Sequence, residues 1–292
     1  MTTYRPVSPP FAWYGGKQML AQWIVAQFPP HTRYIEPFGG SGAVLMAKPP
    51  CAWELFNDLD DGVVGFYRVV QDPDLAPRLQ QTAALTPWSR RLYHQWLRTW
   101  PDHPDPVVRA ARWWYVQRAA FSGGGQKSTP NSWSINGQTT GDLPAKVATW
   151  IHTWENLPAV HQRWLRVLIE HRDARDLMDR WDAPDVLWYL DPPYDPTQRN
   201  PRHRYHHDVT ATTHTEWADR FQELRGMVVL SGYPGSYPQL EQAGWQRIDR
   251  AVVSAAVYRR DTPRTADQRV ESLWLNPAAQ AARREATQLT WI

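Results

Sequence analysis

The stretch Val186-Leu187-Trp188-Tyr189-Leu190-Asp191-Pro192-Pro193-Tyr194 holds the residue types best suited to do chemistry. Pro192 and Pro193 fix φ and lack an N–H, so the backbone there presents rigid carbonyl acceptors. Asp191 adds a charged acceptor and Tyr194 an aromatic face. Two acceptors beside a ring suit a planar heterocycle with an exocyclic amine. One amine hydrogen goes to the Asp191 carboxylate and one to the Pro192 carbonyl, while Tyr194 stacks on the ring. Such an amine is a weak nucleophile because its lone pair is delocalised. Drawing both hydrogens toward acceptors localises the pair and prepares it to attack an electrophilic methyl group. The same letters also make an ordinary proline turn with a capping aspartate, so their meaning depends on the rest of the chain.

The elements around this stretch must position it. The five apolar residues before Asp191 read as a buried central strand, and ligands bind at such strand ends in open α/β sheets. Upstream, the strand Tyr34-Ile35-Glu36 runs into Pro37-Phe38-Gly39-Gly40-Ser41-Gly42, and a helix starts at Ala43. Strand, glycine loop, helix is the Rossmann order, and the glycines let the backbone approach a ligand. Ala52 to Phe56 predict a second strand ending at Asn57-Asp58. Asp58 lies about 20 residues past the loop, where an acid holds ribose hydroxyls; a helix-capping aspartate would look the same. No lysine follows the loop, which favours a nucleoside over a triphosphate. Before it, Phe11-Ala12-Trp13-Tyr14-Gly15-Gly16-Lys17 leads into a predicted amphipathic helix of about a dozen residues, stopped after Phe28 by Pro29-Pro30. Free N–H groups and Lys17 at that helix start would suit an anion or carboxylate. A P-loop is excluded, because no Ser or Thr follows Lys17.

Residues 61–165 lose the strand pattern and become helical and rich in tryptophan; Trp113, Trp114, Trp150 and Trp154 sit at core-like helical spacing. Within them, after Arg112 and Arg118, comes the polar glycine-rich loop Phe121 to Trp133, with Ser122 and Lys127. It reads as a recognition loop carried by a helical insertion. The sheet pattern then resumes with strands at Leu165–Ile169, Val186–Leu190 and Met227–Ser231 and a helix at Thr215–Leu224. A hairpin of Trp245–Val253 and Val270–Leu275 follows. The loop Asp195 to Thr210 interleaves Arg199, Arg202 and Arg204 with Tyr205, His206 and His207, a mixture suited to phosphates and bases. The hairpin connection holds Arg259, Arg260, Arg264 and Arg269. No Cys or carboxylate spacing accompanies the histidines, so no metal is expected.

At 292 residues the chain suits about two domains, or one with a large insertion. An apolar fraction of 42% fits a globular protein. No apolar run reaches the ~20 residues of a membrane span, and the polar, proline-rich start is no signal peptide. Cys51 is the single cysteine, which excludes an internal disulfide and a cysteine zinc site and makes the cytoplasm the expected home. A net charge of +3 and a pI near 9.0 permit a polyanionic partner without requiring one. Apart from Lys17, Lys48, Lys127 and Lys146 the basic residues are arginine. Arginine forks onto phosphates and guanine edges, although genome composition would account for the bias equally well.

Phe11 to Lys17, Glu36 to Gly42 and Asp191 to Tyr194 stand in a fixed order. Together they resemble the Dam-like family of adenine-specific DNA methyltransferases, which has FxWxGGK, EPFxGxG, a target-recognition insertion and DPPY. The resemblance implies an α/β, Rossmann-like methyltransferase fold with a mixed seven-stranded sheet and a helical target-recognition insertion. It implies a catalytic domain of residues 1–60 and 166–292, and a recognition domain of residues 61–165. S-adenosylmethionine is the implied methyl donor, with no metal. The implied cofactor residues are Trp13, Lys17, Glu36, Phe38, Gly39, Gly42, Asp58 and Asp191. Asp191, Pro192, Pro193 and Tyr194 are the implied catalytic residues. DNA contacts are expected at Arg118, Ser122, Lys127, Arg199, Arg202, Arg204 and Arg259, on duplex DNA with the target adenine flipped out of the stack. A cognate restriction endonuclease is compatible with the resemblance. The nearest alternatives are an RNA adenine or DNA cytosine-N4 methyltransferase and an inactive DNA-binding relative. Cytosine enzymes usually carry Ser in place of Asp191, and the intact Trp13, Lys17, Asp58 and Asp191 argue against inactivity. The family often has Asn where this chain has Asp60. No recognition sequence can be read from the insertion.

Overall fold

The computed structural model describes residues 4–120, 125, 129–193, 211–253 and 268–289. Its main sheet contains β1 (Arg33–Glu36) and β2 (Trp53–Asn57). After a small hairpin of β3 (Thr139–Thr140) and β4 (Leu143–Pro144), it continues with β5 (Leu168–Glu170), β6 (Val186–Leu190), β7 (Met227–Gly232), β8 (Gln246–Val253) and β9 (Gln268–Leu275). The seven strands lie in the order β5-β2-β1-β6-β7-β9-β8. The pairs β2–β5, β1–β6 and β6–β7 are parallel, whereas β9 is antiparallel to β7 and to β8. This is the mixed seven-stranded sheet that the resemblance implied. The helices are α1 (Ala21–Val25), α2 (Ala43–Ala47), α3 (Asp61–Gln71), α4 (Leu75–Ala84), α5 (Arg90–Thr99), α6 (Pro106–Ala119), α7 (Ala145–Glu155), α8 (Leu157–Trp164), α9 (Ala174–Trp181), α10 (Ala211–Gln222), α11 (Pro238–Gln242) and α12 (Pro277–Leu289).

The chain divides into two compact units. The first comprises Met1–Ala26 and Phe38–Ala174. Helices α3, α5 and α6 start on side-chain caps. Asp60 accepts from the backbone N–H of Gly62 and Val63 at the head of α3, and Asp105 does the same for Val107 and Val108 at the head of α6. Rings fill the space between helices: Phe66 of α3 lies 5.2 Å from Trp114 of α6, and Trp150 of α7 lies 5.2 Å from Trp114 and 5.3 Å from Tyr115. Trp113, Trp114 and Trp150 are buried as their spacing predicted, while Trp154 is half-buried. Glu54 of β2 is buried because two cations meet it. Lys48 donates to one oxygen, and Arg163 forks across both. Burial works to raise the Glu54 pKa, but the hydrogen bonds and charges of Arg163 and Lys48 outweigh it and hold the carboxyl below its ordinary range.

The second unit comprises Gln27–Pro37 and Arg175–Ile292. All five residues of β6 are buried, which is why its sequence is apolar without alternation. Burial of each such side chain contributes about 1.5–3 kcal/mol. Phe28 packs 5.8 Å from both Tyr34 and Tyr189.

Three elements depart from expectation. The helix predicted from Lys17 to Phe28 shrinks to the five residues of α1, whose N-cap residue Leu20 offers no side-chain acceptor. The strand predicted at Leu165–Ile169 starts only at Leu168, because Leu165 closes α8 by donating its N–H to His161 O. The helix predicted at Thr215–Leu224 is α10, which starts and ends earlier, spanning Ala211–Gln222.

Candidate active site

In the first unit the glycine loop precedes α2 and is pinned by the end of β2. The N–H of Gly39 donates to Asn57 O at 2.8 Å, and the N–H of Gly40 to Asp58 Oδ2 at 2.7 Å. Gly40 and Gly42 have φ of 50° and 62°, the left-handed region that suits glycine. Space is equally demanding. A Cβ on Gly39 would stand 1.9 Å from Phe56 Cε2, and one on Gly40 would stand 2.5 Å from Trp13 Cδ1. Two motifs separated in sequence therefore meet, with the Trp13 ring lying against Gly40.

Asp58 sits at the centre of this arrangement. Its Oδ2 accepts from Gly40, and its Oδ1 accepts from the Asp60 N–H at 2.8 Å. The Leu59 N–H is a third donor to this carboxylate, so of about four acceptor positions about one is left. Burial pushes the Asp58 pKa up to about 6, against the opposing pull of the Asp60 and Gly40 N–H groups. Asp60, for which the sequence suggested no role, links Asp58 to the cap of α3. Lys17 is buried and its Nζ donates to Gly15 O at 3.0 Å. Because α1 begins four residues later, the Gly-Gly-Lys turn does not open a helix, and the expected helix N-terminus is absent from it. Phe38, ahead of Gly39, is half-buried.

In the second unit Asp191 leaves the carboxyl end of β6. It and Pro193 are half-buried, and Pro192 is buried. Tyr34 pairs with Leu187 and Leu190 with Leu230, and side chains alternate along a strand. Glu36, Tyr189, Asp191 and Ser231 therefore share one face at this edge. The Tyr34 hydroxyl donates to Glu36 Oε2 at 2.7 Å, and the Tyr189 and Ser231 hydroxyls are 2.9 Å apart. Burial, then the charges of Asp191, Glu36 and Glu271, hold the Tyr189 pKa well above its ordinary value. The phenol stays neutral beside these carboxylates.

Arg118 lies in the last turn of α6, and burial lowers its pKa. Lys146, which sequence reasoning missed, lies in the first turn of α7. Its pKa is lowered by burial and by the charge of Arg118. The pairing follows from helical spacing: Arg118 is four residues past Trp114 and Lys146 four before Trp150, and those two rings touch. Tyr194, Ser122, Lys127, Arg199, Arg202, Arg204 and Arg259 lie outside the described residues.

The model of the D12 class of N6 adenine-specific DNA methyltransferases matches residues 13–231, three quarters of the chain. The chain belongs to this family. As a D12-class enzyme it methylates the N6 amine of adenine in DNA, and the family implies S-adenosylmethionine as methyl donor. The matched span runs from Trp13 through the glycine loop, Asp58 and Asp191 to Ser231. No curated protein matches the chain. Among the described residues, no helix is long and apolar enough to cross a membrane.

Proposed function

We propose that this D12-class enzyme holds S-adenosylmethionine at Asp58 and the glycine loop, and takes the target adenine at Asp191 and Pro192. The observation that carries the first half is the Asp58 carboxylate. Its oxygens accept from the N–H groups of Gly40, Asp60 and Leu59 and keep about one of four acceptor positions, which suits a ribose hydroxyl. Trp13, packed on Gly40, supplies an aromatic wall beside it. Bound there, S-adenosylmethionine supplies an electrophilic methyl group on its sulfonium.

The Asp191 carboxylate and Pro192 carbonyl accept the two hydrogens of the adenine amine and direct its lone pair outward. Both stand on a rigid turn that follows a fully buried strand, so little reorganisation accompanies charge development on nitrogen. The neutral Tyr189 hydroxyl keeps a further negative charge off that edge. The amine is unreachable inside a stacked duplex, so the base flips out to meet these acceptors. Residues 61–165 serve target recognition, with Arg118 and Lys146 on DNA phosphates. Their partial burial and the repulsion of Lys146 by the Arg118 charge support that role, since a phosphate would relieve both.

Calorimetric titration with S-adenosylmethionine tests the cofactor half: Asp58→Ala should weaken binding at least about tenfold, the scale for losing hydrogen bonds to a charged group. Unchanged affinity removes Asp58 from the site. Incubation with plasmid, read by single-molecule sequencing, gives the target sequence and shows whether both strands are modified.

A further inference from the structure

Three consecutive residues of the glycine loop are tied down, two by the end of β2 and the residue after it. Asn57 O takes the Gly39 N–H and Asp58 Oδ2 takes the Gly40 N–H. The third tie comes from one of the buried rings of α3: the Tyr67 hydroxyl donates to Ser41 O at 2.6 Å, with both residues buried. The ring itself cannot drift. It stacks on Trp164 with centroids 3.6 Å apart and planes at 16°, meets Phe56 at 5.3 Å, and lies 5.7 Å from Phe11. Trp164 closes the other side of the loop, since a Cβ on Gly42 would come within 3.0 Å of its ring. The peptide after Ser41 thus has its carbonyl held inward by a donor that a rigid aromatic cluster fixes in place.

We infer that Tyr67 is a positioning residue for the cofactor: by fixing the Ser41 carbonyl it sets the orientation of the Gly40–Gly42 backbone against Asp58 and Trp13. The inference rests on the reading that this loop and Asp58 hold S-adenosylmethionine. Tyr67 does not touch the reacting atoms. Without its hydroxyl, the Ser41–Gly42 peptide keeps only the Gly42 N–H bond to Gly39 O at 2.8 Å, and Gly40 and Gly42 on either side of Ser41 tolerate a change of backbone. The loop then samples geometries in which the Gly40 N–H leaves Asp58, and only a fraction of molecules is ready to bind. Apparent affinity falls by that fraction.

Tyr67→Phe keeps the ring and its stack and removes only the donor. Its dissociation constant and KM for S-adenosylmethionine should rise about tenfold, the scale of one buried hydrogen bond. Its kcat at saturating cofactor and its KM for DNA should stay within twofold. Tyr115→Phe is the control. It removes another buried hydroxyl, bonded at Ser89 and Pro87 and remote from the loop in sequence. It should lower the melting temperature without changing cofactor affinity. Normal cofactor affinity in Tyr67→Phe overturns the inference whatever the melting temperature does. Equal weakening by Tyr67→Phe and Tyr115→Phe overturns it too, since the cause is then general destabilisation. If Asp58→Ala also binds cofactor normally, the underlying reading of the loop falls with it. If Asp58→Ala binds weakly while Tyr67→Phe binds normally, the role of Tyr67 alone is lost.

Discussion

If Asp58 holds the ribose as proposed, cofactor binding should depend on pH in a window set by the environment of this carboxylate. Its pKa in the folded protein is about 6, above the ordinary value of about 3.9 for an unfolded chain. Between these values the folded state holds a proton that the unfolded state has released. The stability from this group is therefore fully present below about pH 4 and is lost as the pH rises through about 6. Two pKa units correspond to about 3 kcal/mol, the cost at neutral pH of keeping this carboxylate charged in the fold. On the proposed reading ribose hydroxyls donate to the ionised form, so binding would return part of that cost. It also follows that protonation competes with the cofactor. Taking the ionised fraction alone, the dissociation constant for S-adenosylmethionine should be about elevenfold higher at pH 5 than at pH 8. Titration calorimetry at pH 5, 6, 7 and 8 and constant ionic strength measures this directly. Asp58→Asn should bind weakly at every pH with no slope, and its urea-unfolding free energy should lack the decline between pH 4 and 6. A flat wild-type profile, or the same slope in Asp58→Asn, would refute the assignment of Asp58 as the ionised ribose acceptor.

Other outcomes follow from single contacts. Asp191→Ala should slow methyl transfer at least about a hundredfold, the scale of one lost preorganised contact, and Asp191→Asn should be milder because an amide oxygen still accepts; equal, near wild-type rates in both would make Asp191 a plain turn residue. Removing Arg118 or Lys146 should each reduce the slope of log affinity against log salt by about one while cofactor titration is unchanged, and an unaltered slope places the phosphate contacts elsewhere. Glu54→Gln leaves Lys48 and Arg163 buried with a weaker partner and should cost about 3 kcal/mol in urea unfolding. A loss below about 0.5 kcal/mol would mean that water reaches those cations.

The candidate site was legible where it is written in contiguous letters or in a fixed interval. Asp191-Pro192-Pro193 carries its acceptors in three adjacent residues, and β6 announces itself because burial on both faces leaves no polar letter in it. The interval of Asp58 from the glycine loop pointed to it, and the structure bonds it to that loop at Gly40. Element ends were less legible. Apolar letters at Leu165 to Ile169 satisfy the end of a helix as well as a strand, and only the Leu165 N–H bond to His161 decides the matter. The Gly-Gly-Lys turn suggested a helix start, yet nothing in the sequence placed a cap before Ala21. Lys146 could not be seen beside Arg118 until α6 and α7 were paired through Trp114 and Trp150.

Tyr67 shows the limit most clearly, and the reason is physical. A tyrosine among Val63, Val64, Phe66, Val69 and Val70 reads as core, and its ring is core. Its hydroxyl acts on a carbonyl 26 residues earlier in the chain. No local pattern encodes that contact, because it exists only once the loop, β2 and α3 have closed on each other. The same closure raises the Asp58 pKa by burial, although the protein that shields the carboxylate also aims three N–H groups at it. On the proposed reading, binding competence at this loop is bought with stability at neutral pH. A charged acceptor kept partly desolvated costs the apo fold energy, and a ribose hydroxyl that completes its hydrogen bonds lowers that cost. Substitutions that relieve the cost, such as Asp58→Asn, should remove the pH dependence and the cofactor affinity together, because one desolvated carboxylate is the source of both.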